Sequence, residues 1–141
     1  MVEMKGLGGH KGTILLDEAW YKVSIPEIPK DKVSSTGRKM LIVEMVVQDG
    51  PPQNDPDSEP VGRTLTEFLI LDTEGMGERG AQMCLDKVSN ICRAAEIEIS
   101  GDGFDEKDFI NTEFEVYVER GTDKKDQPIE RISAYRPLTD Y

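Results

Sequence analysis

The side chains that could do chemistry in this chain are few, and they favour binding over catalysis. His10 is the only histidine, and no Ser–His or Cys–His pairing has a spacing that would activate a nucleophile. No His and Cys residues cluster at zinc spacing. Cys84 and Cys92 lie about 12 Å apart along a predicted helix, too far for a disulfide, and are expected to be small buried thiols. We therefore expect a protein that is not an enzyme and holds no metal or cofactor.

Two other patterns look like sites but lack the residue order that such sites need. The stretch from Gly6 to Thr13 suggests a phosphate loop, yet its lysine and glycine are reversed, and no apolar strand precedes it. Two acidic clusters lack the glycine and closing glutamate of a calcium loop, so we interpret them as solvated loops. These clusters are Asp55/Asp57/Glu59 and Asp102/Asp105/Glu106/Asp108.

Basic residues gather in two segments of a chain whose net charge is -11. Segment 30–39 holds four basic residues and one acid, and segment 120–126 holds three basic residues and two acids. The overall charge argues against loose nucleic-acid binding over the whole surface, so a polyanion would need such a local patch. The alternative is that segment 30–39 is an ordinary solvated loop.

Aromatic side chains next to such a patch would let unpaired bases stack. Trp20 is the favoured platform because it shares a strand face with Lys22, whereas Phe68 is expected in the core and Tyr117 stands among glutamates. The candidate nucleic-acid-binding residues are Trp20, Lys22, Lys30, Lys32, Arg38, Lys39, Arg63, Arg120, Lys124, Lys125 and Tyr135.

The longest apolar, β-branched run, Lys39 to Gln48, has to be the centre of the fold that positions these residues. With a period of two, both of its faces are largely apolar, which indicates a strand covered on both sides. Around it we predict five strands, at about 19–28, 39–48, 63–71, 112–119 and 128–135, and an amphipathic helix at about 78–96 with Leu85 on its buried stripe. Segment 49–62 is predicted to be a solvated loop, because it holds four prolines.

This order of elements predicts a mainly β protein, a five-stranded OB-fold Greek-key barrel with one helix between strands three and four. An open α+β sheet packed on one helix is the alternative. We expect residues 1–16 to form a flexible arm and residues 17–141 to form a single domain. No long apolar stretch or signal peptide is visible, so a cytoplasmic protein without membrane contact is expected.

Several segments resemble a group of small phage-encoded proteins. They are Trp20 to Ile25, Ser35 to Lys39, Leu41 to Val47, Asp49 to Pro51, Gly62-Arg63, Leu85 to Ala95 and Ile132 to Pro137. The resemblance covers roughly residues 18 to 138. It implies an OB-fold single-stranded DNA-binding protein of phage replication or recombination, in the host cytoplasm. That group commonly ends in an acidic run, whereas the last four residues here hold one acid, so recruitment of partners through a tail is not expected.

The predicted function is therefore sequence-tolerant binding of single-stranded DNA, with phage replication or recombination proteins as further partners. The alternative is a protein-interaction module. In that case Ile42 and Val46 would form a homodimer or dock another protein, and the acidic surface would keep nucleic acid away.

Overall fold

One antiparallel sheet of six strands and one α-helix make up the chain in a computed structural model that describes residues 1–5 and 14–138. The predicted phosphate-loop stretch, with His10, lies outside the described residues. In chain order the elements are β1 (Ala19–Ser24), β2 (Lys30–Val33), β3 (Lys39–Asp49), β4 (Thr64–Ile70), α1 (Glu78–Ala94), a short 3₁₀ helix (Glu106–Phe109), β5 (Glu113–Thr122) and β6 (Pro128–Pro137).

Strand β3 is the centre of the sheet, as the sequence predicts. One edge of β3 pairs with β2 along its first half and with β1 along its second half, and the other edge pairs with β4. Its odd-numbered residues from Leu41 to Val47 are buried in the core. On the other face Met40 is buried, Ile42 and Val46 are half-buried, and Glu44 is exposed. The prediction that both faces are covered is therefore right for the inner face only, since the outer face stays half-exposed around Ile42 and Val46.

Strand β2 is the sixth strand, and it makes the predicted count of five wrong. Its residues Lys30–Val33 pair with β3, and a turn closes the hairpin through hydrogen bonds between Ser34 and Arg38 and between Gly37 and Ser34. The prediction missed it because all four β2 residues are exposed. An edge strand is held by backbone pairing and needs no apolar pattern. The first strand is shorter than predicted, ending at Ser24 just before Pro26, which has no N–H to pair.

The sheet is not closed into a barrel by backbone pairing within residues 14–138. Strand β4 pairs with β3 and strand β6 with β5, so each keeps one free edge. Successive antiparallel pairs make β4 and β6 run in the same direction. Inner-face side chains span the gap: Arg63 pairs with Glu130, and Tyr135 donates to Glu67. We call this gap the seam. The predicted closed barrel is therefore not observed, since side chains and not the backbone join its edges.

Helix α1 confirms the predicted helix, although its exposed side is more apolar than expected. The helix packs against both β4 and β6, next to the seam. Ile91 and Cys92 are buried, and burial raises the pKa of the Cys92 thiol to about 11, so this thiol stays protonated. Cys84, expected to be buried, is only half-buried. The prediction that Leu85 lies on the buried stripe is wrong, because its side chain is 58% exposed.

Candidate nucleic-acid interface

An exposed aromatic residue, an apolar residue and a lysine form a row across three strands on the outer face of the sheet. Phe68 of β4 is opposite Ile42 of β3, and Ile42 is opposite Lys30 of β2. Residues directly opposite each other in a sheet place their side chains on the same face, with Cβ atoms about 5 Å apart. The Phe68 side chain is 47% exposed, and Ile42 is half-buried. We call Phe68, Ile42 and Lys30 the outer row.

Charges of both signs flank the outer row. Lys32 stands one alternation beyond Lys30 on the same face, opposite Met40. Glu44 is exposed on the other side of Ile42, opposite Thr66. An anionic ligand lying on Phe68 would therefore be attracted toward β2 and repelled from the middle of β3. The surface around the row is therefore positive toward β2 and negative toward the middle of β3.

Arg38, a predicted phosphate contact, is used to hold the β2–β3 hairpin in place. Its guanidinium Nη1 donates to the carbonyl of Asp72 at 3.0 Å and to the carbonyl of Glu74 at 2.7 Å. This fixes the hairpin against the connection that leaves β4. Lys39 is exposed, but it lies on the face of β3 opposite to the outer row, because neighbouring strand residues alternate.

Trp20 belongs to a separate cluster on the same face. Its ring meets Tyr117 edge-on at 5.5 Å, and the Arg136 guanidinium lies 3.9 Å from the centre of the Trp20 ring. Lys22 beside it is paired with Glu113 at 3.0 Å. The strand register separates Trp20 from Ile42 by eight residues, or about 26 Å at 3.3 Å per residue. The sheet therefore does not bring Trp20 next to segment 30–39. The predicted base platform and the predicted phosphate contacts lie in different places on this face.

Two other predicted phosphate contacts, Arg63 and Arg120, bind the chain's own backbone. Arg63 donates to the carbonyl of Ile14 at 2.9 Å and to the carboxylate of Glu130 at 2.6 and 2.9 Å. Arg120 donates to the carbonyls of Leu15 at 3.0 Å and Leu16 at 3.1 Å. Leu16 is fully buried in the core. These two arginines thus hold residues 14–16, the last part of the predicted flexible arm, against the sheet.

Tyr135, a predicted platform, points into the seam. Its hydroxyl donates to Glu67 Oε2 at 2.5 Å, while Lys87 Nζ donates to Glu67 Oε1 at 3.0 Å. The Phe68 backbone N–H donates to the same carboxylate at 3.1 Å. Burial and the Glu67 carboxylate together raise the pKa of Tyr135 far above its ordinary value. Its ring is only partly accessible and is not free for stacking.

Lys124 and Lys125 lie at the exposed tip of the β5–β6 hairpin. The Asp123 carboxylate shapes this turn by accepting hydrogen bonds from the backbone N–H groups of Lys125 at 2.8 Å and Gln127 at 2.9 Å. Because β5 runs parallel to β3, this tip stands at the end of the sheet away from the β2–β3 hairpin. The two basic segments therefore lie at opposite ends of the sheet.

Phe68 is a candidate base platform that the sequence reasoning places in the core. The structure exposes it instead, because Glu67 takes the inward position between Leu65 and Leu69. A signal was present, because Phe68 alternates with Thr64 and Thr66, and two polar neighbours mark an outward face. The sequence interpretation gives more weight to the size and hydrophobicity of the Phe68 side chain, and these favour the core.

The chain matches no protein-family model, and no curated protein is significantly similar to it in sequence. Within residues 1–5 and 14–138, no three His, Cys, Asp or Glu side chains come together as metal ligands would. No helix in that part of the chain is long and apolar enough to cross a membrane.

Proposed function

We propose that this protein binds single-stranded DNA without strong sequence preference, on the outer face of β3 and β4. The observation that carries the proposal is the outer row, in which an exposed Phe68 is followed by Ile42 and Lys30. Every base has a π-face that can stack on an aromatic ring, and a lysine nearby can contact the adjoining phosphate. The combination is tolerant of sequence because neither contact reads base edges.

The charges around the row fix how a strand would lie. Phosphates would follow Lys30 and Lys32 along β2, and the base would rest on Phe68 and Ile42, away from Glu44. The Trp20 cluster is about 26 Å away along the strands, so it enters the proposal only as a second contact for a longer strand. No side chains in the outer row form a nucleophile and base, which is why the proposed role is binding alone.

We also propose that the sheet is an OB-type barrel whose last contact is made by side chains. Two features support this: a helix between the β3–β4 pair and the β5–β6 pair, and two parallel edges joined by the Arg63–Glu130 and Tyr135–Glu67 contacts. In an OB-fold, the outer face of the second and third strands is the face that takes oligonucleotides. With β2 regarded as an added hairpin strand, that face corresponds to β3 and β4 here.

The biological setting is part of the proposal and rests on the resemblance in sequence. We propose a phage protein that covers single strands during replication or recombination in the host cytoplasm, beside other proteins of those processes. Nothing in the outer row distinguishes DNA from RNA by a contact to a sugar hydroxyl. Comparing oligo-dT with oligo-U of the same length in the binding experiment below tests the preference.

Replacing Phe68 by alanine tests the proposal. Binding of a labelled oligo-dT of about 20 nucleotides, followed by fluorescence anisotropy, should weaken about 5- to 150-fold, since one stacked base contributes about 1–3 kcal/mol. Phe68 is half-exposed, so the fold should survive its removal. Met83→Ala, at a 63% exposed apolar residue of α1, is the matched control and should bind like the wild type. Equal binding by the Phe68→Ala protein, or no binding by the wild type in dilute buffer, refutes the proposal.

A second candidate function uses the same surface for protein contact. Ile42 and Val46 are half-buried on the outer face of β3, and Phe68 is exposed beside them, so a second copy could cover this patch. Sedimentation at several concentrations, with and without oligo-dT, separates the two functions. A concentration-dependent dimer that Phe68→Ala abolishes, with no oligonucleotide bound, would favour this second candidate.

A further inference from the structure

A groove on the other side of the β2–β3 hairpin has no role in the proposed DNA contact. It has a volume of about 650 Å³ and lies between the end of the β3–β4 pair, helix α1 and the loop that follows the helix. Its size is in the range that holds a bound ligand or a few anchoring side chains. The groove and the outer row are on opposite faces of the hairpin, because Asp31 lines the groove while Lys30 and Lys32 point the other way.

Apolar side chains form the floor of the groove and part of its walls, and two of them are uncovered. Leu41, at the floor, is 2% exposed, and Leu71, Val88 and Phe104 are half-buried against the core. Leu85 on the helix side and Ile99 on the loop side are 58% and 48% exposed. Leu85 lies next to the apolar stripe of α1. Because its side chain is exposed, nothing within the described residues covers it. Covering both side chains would remove substantial apolar area from water.

The loop wall of the groove is well defined. Ser100 and Gly103 bond to each other through both backbone N–H groups, at 2.9 and 3.1 Å, which makes a tight turn. Phe104, next to the turn, packs edge-on against the fully buried Phe109 with ring centres 5.8 Å apart. A pre-formed wall lowers the entropy lost when a ligand binds.

The charge of the groove is acidic. Among its lining residues Asp31, Asp102 and Glu106 are acids and Lys39 is a base. The chain as a whole carries a net charge of -11. A second copy of this chain would therefore meet like charge at this surface, whereas a cationic partner would be attracted to it.

From the uncovered apolar stripe and the acidic lining together, we propose that this groove docks a basic amphipathic segment of a partner protein. Apolar side chains of the segment would cover Leu85 and Ile99, and its lysines or arginines would face Asp102 and Glu106. This is the helix-in-groove mode of recognition, in which apolar anchors give affinity and charges give orientation. The site is independent of the outer row, so a partner and a single strand can be bound together.

The test uses the full chain and a fluorescein-labelled peptide of about 14 residues, with leucines spaced every three or four positions and lysines elsewhere. Fluorescence anisotropy should show saturable binding to the wild type. Leu85→Lys should weaken it at least about tenfold, because it removes an anchor contact and adds like charge. Asn90→Lys is the matched control: it adds the same charge at another exposed position on α1, outside the groove lining, and should change affinity less than about twofold.

Two further peptides separate docking from general attraction to an acidic protein. A peptide with the same number of lysines but serine in place of leucine should bind at least about tenfold more weakly, since it has no apolar anchors. Phe68→Ala should leave peptide binding unchanged, because Phe68 lies outside the groove lining. Equal weakening by Leu85→Lys and Asn90→Lys, or equal binding of the serine peptide, overturns the proposal.

Discussion

The salt dependence of oligonucleotide binding is a property for which the sequence and the structure give different predictions. The sequence places four basic residues in segment 30–39 and predicts three or four phosphate contacts. Each phosphate neutralised on a single strand contributes about -0.7 to the slope of log affinity against log salt, so the sequence predicts a slope of about -2 to -3. The affinity would then fall about 15- to 60-fold between about 50 and 200 mM salt.

The structure leaves two of the nine basic candidate residues beside the outer row. Arg38, Arg63 and Arg120 bond to backbone carbonyls of this chain, and Lys22 is paired with Glu113. Lys39 lies on the opposite face, and the remaining two lysines are on the far hairpin tip. Lys30 and Lys32 are the candidates that stand beside the outer row, and two phosphate contacts give a slope of about -1.4. Affinity should fall only about sevenfold over the same salt range.

The measurement is oligo-dT anisotropy at four or more salt concentrations, on the wild type and on the double variant Lys30→Gln, Lys32→Gln. We expect the slope to change from about -1.4 to near zero in the double variant. Lys124→Gln, Lys125→Gln is the matched control, at the tip of the β5–β6 hairpin, and should keep the wild-type slope. A wild-type slope of about -3 or steeper, or a loss of slope only in the control, would refute the assignment of the binding face.

Two predictions concern the stability of the fold. A Cβ at Gly50 would lie 2.4 Å from Cδ1 of the fully buried Tyr21, so Gly50→Ala should lower the unfolding free energy in urea by about 1–3 kcal/mol. Gly103→Ala, where a Cβ meets no atom within 4 Å, should change it little; similar losses in both would contradict the packing argument. The second prediction follows from the raised pKa of Tyr135, whose phenol stays protonated in the folded state at pH values where the unfolded phenol ionises. The contribution of the Tyr135 phenol to the free energy of unfolding is thus complete below about pH 10 and is lost as the pH rises further. The expected loss is about 1.4 kcal/mol between roughly pH 9 and 11. Tyr135→Phe removes this contribution, so its stability should fall less over that range, and identical pH profiles of the two proteins would show that the bond to Glu67 does not hold the proton.

The alternation of apolar and polar residues was sufficient to place the main strands and the helix. Val116 and Val118 alternate with polar residues along β5, and both are fully buried. The two-sided apolar run at Lys39 to Gln48 identified the centre of the sheet for the same reason, since burial of a side chain is decided locally by which face of the strand it occupies. These features needed no knowledge of the partners.

Strand β2 and the seam could not be predicted in this way. β2 is an exposed edge strand, so its pairing with β3 depends on backbone groups that carry no residue signature. The Tyr135 and Glu67 side chains meet from positions 68 residues apart, and only the directions of β4 and β6 bring them together. Glu67 can occupy an inward position between two leucines because Lys87 and Tyr135 satisfy its carboxylate there.

The sequence by itself determined which segments are the five main strands, which is the helix, and where the cations and aromatic residues stand along the chain. Only the tertiary structure decided which of them remain free. Arg63 and Arg120 donate hydrogen bonds to the chain's own backbone carbonyls, whereas the Phe68 ring is exposed. The physical reason is that a side chain's local pattern fixes its face, whereas its availability depends on partners that are remote in sequence and meet it only in the folded sheet.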